Sequence, residues 1–218
     1  RQWISIVIFL YALKYAFDKK LTKYVLTVLL SASFHSSAFL MLPLYFLLDL
    51  KVNIKNMLIV ITSTFIVGIQ FERIIFSIAK RVPFLNASSY IRYFDGRFAE
   101  SGGGGWAYSI ILILAFILMI IYKKSYAKFI QNADNHFVLM VIAIVSSLFS
   151  PINMIYSRIQ LYLIPIVLVT LPNIIKIQRP KERILFSIII VVFGLLYMYR
   201  SLLINGGQPL PYRTIFGR

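Results

Sequence analysis

The sequence predicts an all-α protein, a polytopic transmembrane helical bundle with a long extracytoplasmic loop. Hydrophobic residues make up 60% of the 218 residues and charged ones 14%, whereas roughly a quarter of a soluble domain is charged. The apolar residues fall in long continuous runs, unlike the alternating ten-residue segments of a membrane barrel. Backbone polar groups cannot stay unpaired in lipid, so helices of about 20 residues are the spanning form that such runs allow.

In chain order the runs are 3–17, 24–48, 57–79, 106–122, 137–149, 159–172 and 184–199. Polar punctuation separates them at 18–20, 49–56, 80–105, 123–136, 150–151 and 173–183. Residues 1–218 read as one transmembrane domain, with 80–105 as its extracytoplasmic loop. The first run opens at Trp3 without a charged leader or cleavage site, so it is not a signal peptide. Further spans are expected ahead of Arg1. The chain has no cysteine, which removes disulfides and thiolate chemistry from consideration.

Run 24–48 is too long for a simple reading. As a single span it scatters basic clusters over both sides of the membrane. As a tight hairpin of two short, tilted helices turning at Ser33, Phe34, His35, Ser36 and Ser37, it sorts them. One side then carries Lys14, Lys19, Lys20, Lys23, Lys51, Lys55, Lys123, Lys124, Lys128, Lys176 and Lys181, with Arg179 and Arg183. Positive residues mark the cytoplasmic face. The other side carries Arg1, Arg81, Arg92, Arg97, Arg158, Arg200, Arg213 and Arg218, with Lys80 as its one lysine and Arg73 near the outer end of run 57–79. Planar guanidinium groups suit bidentate recognition of phosphate or carboxylate. Snorkelling at the interface is the plainer account of the same residues.

The outer face thus gathers Arg1, Gln2, the His35 turn, Glu72, loop 80–105 and the stretch 150–160. The stretch 74–82 alternates apolar and basic residues, as an interfacial helix does. The segment 90–98 then interleaves Tyr90 and Tyr93 with Arg92 and Arg97. Aromatic faces stack on sugar rings while arginines hold an anion, though an aromatic belt at the interface reads the same way. Glycines 102–105 lack a following Lys-Ser/Thr pair, which excludes a phosphate-binding P-loop. Glu72 is a costly charge near the hydrocarbon region, either functional or paired with an arginine. His35 is either a packing residue or a base, and His136 falls in the lysine-rich inner loop. Glu72, Asp95, Glu100 and His35 show no metal-ligand spacing, so no metal is expected.

The segment Arg1-Gln2 opens an apolar helix, and Ser33-Phe34-His35-Ser36-Ser37-Ala38 follows some thirty residues later. A tyrosine-rich loop and then Ser157-Arg158-Ile159-Gln160-Leu161-Tyr162 complete the order. This arrangement resembles the EpsG family of Wzy-like polysaccharide polymerases over nearly the whole chain. The resemblance implies glycosyl transfer at the outer face of the bacterial cytoplasmic membrane. The donor would be a growing glycan on undecaprenyl pyrophosphate, and the acceptor a hydroxyl of a second lipid-linked repeat unit. Such a leaving group is already activated, so neither nucleotide nor metal cofactor is required.

Preorganised cations would stabilise the pyrophosphate as charge develops on it, with Arg1 and Arg158 in that role. Arg92 and Arg97 would join them or bind saccharide, alongside Gln2, Gln160, Tyr90 and Tyr93 as substrate-binding residues. His35, or failing it Glu72, would accept the acceptor's proton. The implied partners are the two lipid-linked glycans, the bilayer and a chain-length regulator protein, with no nucleic acid. An O-antigen-ligase-like enzyme would share the donor site. A flippase for the same glycans would need midplane charges and broken helices in paired halves, which the sequence does not display.

Overall fold

The computed structural model describes residues 1–81, 105–151 and 154–203, and every regular element among them is helical. The chain divides into two compact units, Arg1–Asn173 and Ile174–Arg218.

In the first unit, α1 (Gln2–Phe17) and α2 (Leu21–Phe34) pack as a hairpin. The turn between them places Lys19 at a left-handed φ of 57°. Helix α2 stops at His35, whose extended backbone (φ −155°, ψ 115°) departs from the helix. The chain then turns back through a 3₁₀ segment, Ser36–Met41, and the four-residue α3, Leu44–Leu47. Pro43 stands between them without an N–H to donate, so the returning limb is not one regular helix. The limb ends beside its origin, with Lys19 Nζ 2.6 Å from Asp49 Oδ1. The hairpin expected within 24–48 is present, and its return limb is less regular than the second helix expected there.

Helix α4 (Ile54–Arg81) follows, 28 residues or about 42 Å at 1.5 Å per residue. It absorbs residues 74–81, which the apolar-basic alternation assigned to a separate interfacial helix. No proline or glycine lies between Gly68 and Pro83, so nothing in the sequence ends the helix sooner. Next come α5 (Gly105–Ile121) and α6 (Lys123–Phe129), the latter bent by 86° from the former. Helix α7 (Ala133–Phe149) is the centre of the unit, with α4, α5 and α8 (Met154–Leu163) packed around it. Its Val138, Leu139 and Met140 are all fully buried. Three consecutive buried residues require cover on every side of a helix.

His136 is not in a loop. It occupies the first turn of α7, buried, with Nδ1 2.8 Å from the Tyr126 hydroxyl on α6. Helix α9 (Pro165–Lys176) continues from α8.

The two ends of this unit differ chemically. Lys19 reaches Asp49, the Val52 amide lies 3.5 Å from Asp134 Oδ2, and the Phe17 and His136 rings are 6.1 Å apart. These contacts bring the α1–α2 turn, the entry to α4 and the start of α7 to one end, with the lysines they carry. Arg1, His35 and Arg158 lie at the opposite end.

Several helices fall short of a full membrane span. Helices α1, α2 and α7 have 16, 14 and 17 residues, below the roughly 20 needed for a bilayer core. Among the described residues, Ile155–Lys176 is a 22-residue apolar helical stretch long enough to cross a membrane, and the bent α5–α6 pair makes a second if counted as one span. The all-helical expectation therefore holds, while a full set of spans is not established by helix length.

In the second unit, α10 (Pro180–Leu203) is 24 residues long. Proline at its first position donates no N–H where none is needed, and Arg183 Nη2 donates to the Lys176 carbonyl at 2.9 Å. Its Ile184, Leu185, Ile188, Ile189, Val191 and Val192 are all exposed, an apolar surface that extends around the helix.

Candidate functional site at the arginine end of the bundle

Three of the residues singled out in the sequence meet at the end opposite the lysines. Gln2 occupies the first turn of α1, Arg158 sits in the middle of α8, and His35 follows the last residue of α2. Arg158 Nη1 donates to Gln2 Oε1 at 2.7 Å. Both side chains are partly buried. A guanidinium has five N–H donors, and among the described residues no carboxylate pairs with Arg158. The Gln2 amide is also incompletely used, since its Nε2 is buried without a hydrogen-bond partner. A half-buried cation beside a buried, unfilled N–H donor is suited to an anionic oxygen, which would satisfy both.

His35 is half-buried next to them. Its backbone N–H still donates to the Ser31 carbonyl at 3.2 Å, while its extended ψ carries the following chain away from the α2 axis. Burial lowers the imidazole pKa below its usual 6.5, and the charge on Arg158 lowers it further. The ring is therefore neutral at pH 7 and able to accept a proton.

The other sequence candidates stand differently. Arg1 precedes α1 at the same end, exposed, and forms no side-chain cap there. Gln160 does not join the cluster. It is buried on the far side of α8, its Nε2 3.3 Å from Ser147 Oγ on α7. Two residues along a helix rotate a side chain by about 200°, so Arg158 and Gln160 cannot face one way. Glu72 and Arg73 belong to α4, but their side chains lie outside the described residues. Tyr90, Arg92, Tyr93 and Arg97 lie outside them altogether. No group of three metal-ligating side chains gathers among the described residues.

The EpsG family model matches residues 1–214. The chain belongs to the EpsG family. No curated protein and no solved structure matches it. The match covers every element of the site, from the Arg1-Gln2 helix start through the His35 turn to Arg158. EpsG membership is consistent with a glycosyltransferase-type role in polysaccharide synthesis and with association with a membrane.

The sequence did not single out the hydroxyls beneath this candidate site. Ser5, Ser31 and Tyr162 are fully buried and hydrogen-bonded to one another. The signal was there in weak form, as a serine among apolar neighbours in each of α1 and α2 and a tyrosine four residues after Arg158.

Proposed function

We propose that this EpsG-family chain carries the site of a polysaccharide polymerase working at the outer face of the bacterial cytoplasmic membrane. It would join repeat units linked to undecaprenyl pyrophosphate. The observation that carries the reading is the Arg158–Gln2 pair, a cation and an unfilled amide donor with a neutral imidazole beside them. Glycosyl transfer from a lipid pyrophosphate needs these functions. The C–O bond between the anomeric carbon and pyrophosphate breaks, the acceptor oxygen bonds to that carbon, and its proton leaves to a base.

Arg158 is suited to the departing pyrophosphate, whose charge grows as the bond breaks. The Gln2 Nε2–H is suited to a further pyrophosphate oxygen. His35 is suited to receive the acceptor proton, and Arg1 at the exposed helix start can join the phosphate contacts. Tyr90, Tyr93, Arg92 and Arg97 remain candidates for the saccharide, and Glu72 for an alternative base. The lysine end would face the cytoplasm, and the apolar surface of α10 would face lipid.

The test is extracellular polysaccharide chain length in cells whose only copy of the full protein carries Gln2→Ala, His35→Ala or Arg158→Ala, with membrane levels checked. Short or absent polymer, with single lipid-linked repeats accumulating on the outer leaflet, supports the reading. Normal polymer in all three would overturn the site. Repeats trapped on the inner leaflet would make the chain a flippase instead.

A further inference from the structure

Each of the three site residues stands one helical turn above a buried hydroxyl. On α1, Gln2 is followed at three residues by Ser5. On α2, His35 is preceded at four residues by Ser31. On α8, Arg158 is followed at four residues by Tyr162. Three or four residues make one turn, about 5.4 Å along the axis, so the hydroxyls form a layer directly beneath the site. Ser5 Oγ lies 2.8 Å from Ser31 Oγ and 2.7 Å from the Tyr162 hydroxyl.

One assignment of protons lets every hydroxyl of the layer donate, with the 2.8 Å Ser5 Oγ–Ser31 Oγ contact carrying no proton of its own. Ser37 Oγ donates to the Tyr162 oxygen at 3.4 Å, and Tyr162 donates to Ser5 Oγ. Ser5 donates to the Ser31 carbonyl at 2.9 Å, and Ser31 donates to the Ser5 carbonyl at 2.7 Å. Every hydroxyl has one proton to give, and none is left over. Tyr162 is also held from the side by Phe9, edge to face, with ring centroids 5.5 Å apart.

We infer that Ser5, Ser31 and Tyr162 are positioning residues, a hydroxyl layer that fixes the spacing of Gln2, His35 and Arg158 for the transfer step. The inference rests on the polymerase reading of that site. Ser31 and Ser37 flank His35 and enter the same layer, so the backbone on both sides of the imidazole is tied to the helix that bears Arg158. Stability alone is a poor reason for such a layer. Cross-helix hydrogen bonds of this kind add little in a membrane, and matched apolar side chains would fill the space at similar stability. A hydrogen-bonded layer instead allows one register, whereas apolar packing tolerates sliding. Displacing a reacting group by about an ångström costs on the order of 100-fold in rate.

The test uses the full protein in membranes and the initial rate at which lipid-linked repeats become polymer. Tyr162→Phe keeps the ring against Phe9 and removes only the hydroxyl, and Ser31→Ala is the second variant. Both are expected at normal membrane level, with the rate reduced roughly 10- to 100-fold. The deciding measurement is a double-mutant cycle with His35→Ala. A positioning role predicts that Tyr162→Phe costs less once His35 is gone, because one of the groups that the layer places is then missing. Losses that multiply independently would overturn the inference, as would a normal rate in both single variants. If His35→Ala and Arg158→Ala polymerise normally, the polymerase reading of the site falls first. If those two are inactive and the hydroxyl variants are normal, only the positioning role falls.

Discussion

Arg158 and Gln2 are 156 residues apart in the chain, and the guanidinium donates to the amide oxygen at 2.7 Å. The bond joins the first turn of α1 to the middle of α8. It leaves four guanidinium N–H groups and the buried Gln2 Nε2 for a ligand. Replacing Gln2 by Ala removes the orienting acceptor but leaves the charge, so polymer formation should fall by about 10-fold or more. Arg158→Lys keeps the charge and loses the fork geometry, and should be nearly as damaging as Arg158→Ala. Polymer length and membrane level together check both.

Loss of His35 should be more severe than loss of Gln2. A general base contributes about 10²–10⁴-fold to rate, and His35→Ala should lose that much without loss of protein from the membrane. His35→Ala with near-normal polymer would transfer the role of base to Glu72.

The pH dependence of His35 follows from its surroundings. Burial first, and the Arg158 charge second, hold its pKa below 6.5. The imidazole should therefore stay neutral down to pH values below that figure and become protonated only under acid. Arg158→Gln removes one lowering influence, so the pKa should rise and protonation should begin at higher pH. Arg158→Lys keeps the charge and should leave it near the original position. Only a neutral imidazole reacts with diethyl pyrocarbonate, so modification of the His35 peptide against pH, read by mass spectrometry, measures the shift without requiring activity.

The opposed ends of the first unit can be located in cells. Residues 1–218 contain no cysteine, so single cysteines introduced here, with any cysteine elsewhere in the full protein replaced, report position. Ser33→Cys, exposed in the last turn of α2 beside His35, should react with an impermeant maleimide added to intact cells or spheroplasts. Lys51→Cys and Lys128→Cys should react only after permeabilisation. The reverse pattern would turn the bundle over and move the site to the cytoplasmic face.

His136 is expected to act in stability rather than in transfer. Its Nδ1 is 2.8 Å from the buried Tyr126 hydroxyl. His136→Phe and Tyr126→Phe each break this bond, and each should destabilise by roughly 1–3 kcal/mol. The double variant should cost less than the two together, since neither polar group then remains. Thermal unfolding in detergent tests this, with polymer length unchanged wherever the protein reaches the membrane.

Much of this was legible in the sequence. Continuous apolar runs have no helix-free way to satisfy their backbones in lipid, so the all-helical class followed from composition and pattern alone. Serines around a lone histidine inside run 24–48 marked the chain reversal, which sets Arg1, His35 and Arg158 opposite the lysines of the α1–α2 turn. The order Arg1-Gln2, His35, Arg158 was enough to indicate the family. Helix lengths were less legible, because hydropathy marks an apolar run and not where its hydrogen bonding stops. The pairing of Arg158 with Gln2, the exclusion of Gln160, the burial of His136 and the layer joining Ser5, Ser31 and Tyr162 were decided only by the tertiary structure. Each depends on the rotation of one helix against another, which contacts between residues far apart in the chain determine and no local pattern records.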